Sequence, residues 1–116
     1  EFLREIGKEV YYAVKQHPVQ NDLSMVDVEL FDLKKIYSNI ISTETEEVGI
    51  KPEDMKGKIK TLWDSDATVI AKGMGNYETL SEYECERPVI HIMKIKCPAV
   101  SYALQHEIGT YVVFCA

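Results

Sequence analysis

No apolar run in this chain approaches the roughly 20 residues a helix needs to cross a bilayer. Nor does a basic segment followed by an apolar one open the sequence, as a secretory leader would. These absences predict a cytoplasmic protein with no membrane partner. Basic charge is scarce as well. The formal net charge is −6, and the local basic bias is limited to short groupings such as Lys94 with Lys96 and Lys56 with Lys58 and Lys60. A nucleic-acid backbone requires clustered lysine and arginine, so nucleic acid is excluded as a partner. The three cysteines, Cys85, Cys97 and Cys115, are odd in number and form no CxxC pair, which speaks for reduced thiols over a disulfide framework. No P-loop, glycine-rich phosphate loop or Ser-His-Asp order is present. Asp64 and Asp66 stand two apart, on different faces of a helix, so a paired-carboxylate site is not supported. No CxxC or HxxxH spacing predicts a metal, and no motif names a cofactor.

What is present fits one globular unit. The composition, 46% hydrophobic and 28% charged, is ordinary for a soluble protein, and 116 residues suffice for one modest core. The expectation is a single α+β domain over residues 1–116. The start, Glu1-Phe2-Leu3-Arg4-Glu5, is already helix-like, which predicts chain before it. Phe2 or Leu3, Ile6, Val10 and Ala13/Val14 form one apolar stripe of a first helix closed by His17-Pro18. Ser24 followed by Asp27 resembles a capping arrangement. A second helix is expected from the spacing of Val26, Leu30, Leu33, Ile36/Tyr37 and Ile40/Ile41, running on toward Glu47 and stopping at Gly49. Pro52-Glu53-Asp54 suits a helix start. Met55, Ile59, Leu62/Trp63, Ala67 and Val69/Ile70 continue a third helix to Gly73-Met74-Gly75-Asn76.

From Tyr77 the period shortens to two. Tyr77, Thr79, Ser81, Tyr83 and Cys85 alternate with Glu78, Leu80, Glu82, Glu84 and Glu86, which predicts a strand with an acidic outer face. Glu86-Arg87-Pro88 reads as a turn. Val89, His91, Met93, Ile95 and Cys97 then share one face of a second strand, paired antiparallel with the first. Pro98 suits the first position of a short helix running to Ile108, with Gly109 as its stop. Tyr111-Val112-Val113-Phe114-Cys115 is a third strand. The fold class is therefore α+β, with about three N-terminal helices packed on a small antiparallel sheet and a strand-strand-helix-strand C-terminal half. A sheet ending at Ala116 is small, so further chain is expected beyond it.

Chemistry is expected around Cys97. As the N-cap of the last helix its sulfur lies near a positive helix end, where a thiol can serve as nucleophile or metal ligand. His91 faces inward on the same strand, so a thiol–imidazole arrangement is the raw material for nucleophilic catalysis. His106 falls on the solvated side of the helix. Trp63, the only tryptophan, sits in phase with the core stripe.

Over about residues 60–116, three runs carry a family likeness. They are Gly75-Asn76-Tyr77 through Glu84, Pro88 through Pro98, and Gly109 with Tyr111 to Cys115. Together they resemble L-2-amino-thiazoline-4-carboxylate hydrolase-like proteins and are similar to the vinyl-reductase (V4R) small-molecule-binding group. The resemblance implies an α+β domain with an internal cavity for a small organic ligand, ring-opening hydrolysis, and Cys97 and Cys115 as the family's cysteines. Such families continue past the second cysteine with a helix that this chain lacks. The preferred functional reading is a small-molecule-binding or sensing domain whose pocket is lined by Trp63, Tyr83, Met93 and Cys115 near Cys97. The alternative is a hydrolase of a cyclic amide or thiazoline, with Cys97 as nucleophile and His91 as base. A third reading is a protein-interaction subunit, and a homo-oligomer is compatible with each.

Overall fold

A computed structural model describes residues 2–116. The class is α+β, as expected. The described chain forms two compact units, one of residues 2–47 with Met55–Thr61, the other of Val48–Asp54 with Leu62–Ala116. No described helix is long and apolar enough to cross a membrane.

In the first unit the expected long helices are short, and strands take their place. Helix α1 covers only Phe2–Glu5. Gly7 follows it with φ +77°, a left-handed conformation that glycine adopts without steric cost. Val10 to Val14 are then mostly β-branched or aromatic, and Tyr12–Val14 form strand β1. The Ser24–Asp27 capping box is present in full and starts helix α2, Met25–Leu30. The helix goes no further because Asp32 turns left-handed at φ 52°, with its carboxylate accepting from Lys35 Nζ at 2.7 Å. A 3-10 turn at Leu33–Lys35 leads to strand β2, Ile40–Ser42. Strands β1 and β2 pair in parallel, Tyr12 against Ile40 and Val14 against Ser42. The apolar spacing that suggested two long helices instead falls on short helices, strands and turns, where Val14 is buried but Phe2, Ile6, Val26, Leu30 and Ile36 are exposed.

The stretch expected as a third helix is likewise divided. Pro52–Asp54 is a 3-10 turn, Gly57–Trp63 is helix α3, and Val69–Lys72 is strand β3. The residues expected as a first strand from Tyr77 are instead helix α4, Met74–Leu80. Its polar residues bond locally, Thr79 Oγ1 donating to the Gly75 carbonyl at 3.0 Å and Asn76 Nδ2 to the Lys72 carbonyl at 2.8 Å. Strand β4, Val89–Lys94, helix α5, Pro98–Leu104, and strand β5, Tyr111–Cys115, lie where the sequence puts them. Helix α5 ends four residues early, because Gln105 turns left-handed at φ 55°.

The sheet of the second unit has the order β3-β4-β5. Strand β3 pairs with β4 in parallel and β5 pairs with β4 antiparallel, so the expected antiparallel hairpin is replaced by a mixed sheet. Alternate residues of β4 point into the core, and Val89, His91 and Met93 are buried. Met93, Ile95, Val100 and Val112 form one cluster, joined by Met74, Tyr77 and Cys97. Ala71, Leu80 and Val89 form another, with Ile50, Trp63 and Cys85 against it.

The start of α4 is fixed by a close approach of two glycines. A Cβ on Gly75 would stand 2.7 Å from Val48 Cγ1, and a Cβ on Gly49 would run into the Gly75 carbonyl and the Thr79 hydroxyl. That hydroxyl also accepts from Ile50 N at 3.1 Å. Gly49 adopts φ +73°, so both space and backbone demand glycine. We expect Gly49→Ala to destabilise the protein by about 2–3 kcal/mol in denaturant unfolding. A change within about 0.5 kcal/mol would show that this contact relaxes freely.

Candidate active site

Because β3 and β4 run in the same direction, their carboxyl ends lie at one edge of the sheet, where open sheets with parallel strands commonly receive ligands. From β3 the chain leaves through Gly73, at φ +102°, into Met74-Gly75-Asn76. From β4 it leaves through Ile95, Lys96 and Cys97 into Pro98. The two exits are tied together, since Gly73 N donates to the Ile92 carbonyl at 2.9 Å. Met74, Tyr77 and Cys97 pack against the same buried cluster. Lys72 at the end of β3, and Lys94 and Lys96 at and after the end of β4, are exposed cations, and Asn76 is half-buried. Lys94 Nζ lies 5.3 Å from the centre of the Tyr111 ring. A glycine-lined exit, a side-chain amide and exposed ammonium groups together form an edge suited to an anion.

Of the residues expected to act, Cys97 lies at this edge. It is half-buried, N-caps α5 with extended backbone, and its Sγ meets Glu78 Oε1 at 4.0 Å. His91 lies six residues earlier, roughly 20 Å of extended chain. Its ring is 3% exposed, stacked on Phe114 at 5.3 Å and met edge-on by Tyr77 at 5.4 Å. The contacts found for this imidazole are with the Tyr77 and Phe114 rings, and those of the thiol are with Glu78 and the Met93 cluster. Met93 is buried in the cluster that Cys97 adjoins, whereas Trp63 packs with Ala71, Leu80 and Val89. The Trp63 ring also lies under the Arg87 guanidinium at 5.5 Å. That guanidinium donates to the carbonyls of Leu62, Trp63 and Ser65, so Arg87 closes the end of α3 rather than turning a hairpin. The Tyr83 hydroxyl donates to Glu53 Oε1 at 3.1 Å. Cys115 is exposed on β5, and all three cysteines are free thiols. Trp63, Tyr83, Met93 and Cys115 therefore do not line one pocket.

Sequence reasoning missed the Gly73–Asn76 exit, although a signal was available. A β-branched run, Thr68-Val69-Ile70, precedes Gly-Met-Gly and a helix-forming stretch, the strand–glycine–helix order of many phosphate-binding turns. It also missed Lys15. This lysine follows β1 and is only 6% exposed. Burial holds its ammonium below the ordinary lysine value, while the carboxylates of Asp22 and Glu47 act in the opposite sense. Among the described residues, no three His, Cys, Asp or Glu side chains gather into a group that could hold a metal ion.

Comparison with known proteins gives this edge its context. The chain belongs to the damage-control phosphatase ARMT1-like domain family, whose model matches residues 1–112. It is 37% identical over 113 residues to a damage-control phosphatase of Pyrococcus horikoshii, covering 97% of this chain and 39% of that protein. It is 31% identical over 115 residues to an uncharacterized protein of Methanocaldococcus jannaschii, covering 97% of this chain and 38% of that protein. A crystal structure of a DUF89 family protein from Pyrococcus horikoshii superposes with a TM-score of 0.80 at 37% identity, over 95% of this chain and 38% of that one. The chain thus spans about two fifths of the length of these relatives.

These findings correct the resemblance drawn from the C-terminal half. The family match runs through nearly the whole chain, and it is not to thiazoline-carboxylate hydrolases or the V4R group. The readings as a small-molecule sensor and as a thiazoline hydrolase with Cys97 as nucleophile fall with it. The misleading signal was a strand-Cys-Pro-helix order. Many folds produce it, because proline suits any helix start.

The burial of His91 has a measurable consequence. Its Nδ1 is buried without a hydrogen-bond partner, and desolvation holds the imidazole below its ordinary pKa of 6.5. The unfolded chain therefore takes up the proton more readily than the folded one. Stability is intact above the ordinary value and is lost as pH falls through the lowered one. We expect wild type to lose stability between pH 7.5 and 5 relative to His91→Phe, by about 1.4 kcal/mol per unit of depression. A stability difference that stays constant across that range in urea unfolding would contradict this account.

Proposed function

We propose that this chain takes part in a phosphatase, with the carboxyl edge of β3 and β4 receiving the phosphoryl group of a phosphate ester. The observation that carries this reading is the damage-control phosphatase family match over residues 1–112. The 37% identity to the Pyrococcus horikoshii damage-control phosphatase supports it. The β3–β4 edge agrees in chemistry. Lys96 follows β4 and offers a mobile, exposed ammonium suited to a phosphate oxygen. Asn76 is oriented by its bond to the Lys72 carbonyl, which leaves its second amide hydrogen for a ligand. Gly73 and Gly75 carry no side chain to obstruct the approach of an anion to the backbone. In this reading Lys96 binds and neutralises the phosphoryl oxygens, Asn76 orients them, and hydrolysis transfers the phosphoryl group to water.

The test is phosphate release by the purified full-length protein from a panel of phosphomonoesters, with and without added divalent cations. We expect turnover of at least one ester. Lys96→Met should lower kcat/KM by about tenfold to a hundredfold, the loss expected from one charge-assisted contact of ~1.5–3 kcal/mol. Because Lys96 is exposed, its melting temperature should stay at the wild-type value. Absence of phosphate release across the panel would sink the phosphatase reading. Full activity in Lys96→Met would sink the assignment of this edge.

A further inference from the structure

A cavity of about 80 Å³ lies at the amino ends of β1 and β2, lined in part by Arg4, Lys8, Tyr12, Tyr37, Ser38 and Asn39. One water needs only about 10–15 Å³ of such space, so there is room for a tetrahedral oxyanion. The walls are tied to one another. Tyr12 N donates to the Asn39 carbonyl at 2.9 Å, and the Tyr12 and Tyr37 rings pack at 5.1 Å. Arg4 spends one guanidinium nitrogen on the Ile36 carbonyl, at 3.4 Å. The other N–H groups of that planar fork remain available to an oxyanion.

The charge is unusual for this chain. Its formal net charge is −6, yet the cavity is lined by two cations and one carboxylate, Glu9. That carboxylate accepts from the Tyr11 hydroxyl at 2.8 Å, so one of its oxygens is already engaged. Ser38 and Asn39 add neutral donors. Two cations with hydroxyl and amide donors around a small polar hollow match an oxyanion with several acceptor oxygens better than an apolar or cationic ligand.

We propose that this cavity binds a phosphoryl group, either free phosphate or a phosphate monoester, at a site made from none of the residues assigned to the β3–β4 edge. The inference goes beyond the phosphatase reading and does not depend on it.

The test is a ¹⁵N–¹H spectroscopic titration of the full-length protein at low ionic strength. Separate arms use inorganic phosphate, glycerol phosphate, and sodium chloride at matched ionic strength. We expect saturating shifts at the Arg4, Lys8, Ser38 and Asn39 amides with phosphate or its ester and none that saturate with chloride. The arm that saturates at lower concentration identifies the source of the phosphoryl group. R4Q/K8Q should weaken binding at least about tenfold, and K8Q alone about threefold, with the fold retained because Lys8 is exposed. No saturating shift at these amides, equal response to chloride, or unchanged affinity in K8Q would overturn the proposal. Shifts at Asn76 and Lys96 report on the other edge separately, so either assignment can fail without the other.

Discussion

The parallel pairing of β3 with β4 is the constraint on which the candidate site depends. Two strands running the same way must release their chains at the same edge, so Gly73–Asn76 and Lys96–Pro98 become neighbours although twenty residues separate them. The antiparallel hairpin that the alternation suggested, Tyr77–Cys85 against Val89–Cys97, would have left Asn76 at the start of a strand, whereas the parallel pairing makes Gly73–Asn76 the turn from a strand into a helix. The pairing requires a crossover, and α4 with the turns after it supplies one. The crossover holds its place because Gly49 and Gly75 let two backbones approach more closely than any side chain would allow. The phosphatase assignment of this edge thus rests on strand direction before it rests on any single side chain.

Three buried or half-buried polar side chains are handled in three different ways. Arg87 satisfies the open carbonyls at the end of α3, where the helix has no partners of its own to offer. Lys15 is buried beside opposing carboxylates, which offset part of the cost of removing an ammonium from water. His91 has no such compensation at Nδ1 and is enclosed by the Tyr77 and Phe114 rings. Arg87 has its donors met by carbonyls, whereas burial tips both Lys15 and His91 toward their neutral forms, with only Lys15 opposed by nearby carboxylates. This is why His91 reads as an aromatic member of the core more readily than as a base.

Charge tells a similar story at the surface. A net charge of −6 argues against a polyanionic backbone as partner, yet it says nothing of a small local excess of cations. Lys94 and Lys96 are near neighbours in sequence, as are Arg4 and Lys8, and folding adds Lys72 to the sheet that carries the first pair and a cavity beside the second. Binding a single phosphoryl group needs two or three such groups, far fewer than a nucleic acid does.

The sequence by itself determined the elements whose signals are local. The Ser24–Asp27 capping box starts α2 because both of its bonds lie within four residues. The run Val89–Lys94 is a strand by β-branching and alternation, and Pro98 starts α5 by its fixed φ. The α+β class follows from these. The tertiary structure alone decided the rest. Val10–Val14, Ile40–Ser42 and Val69–Lys72 carry apolar spacings that fit a helix stripe or a short strand equally well, and only the partner strand chose between them. Tyr77–Leu80 alternates like a strand yet coils, because its bonds go back to Lys72 and Gly75 rather than across to a neighbour. Periodicity limits which positions can share a face. Which strand accepts a backbone hydrogen bond, and from which direction, is a property of distant residues meeting, and so it belongs to the fold.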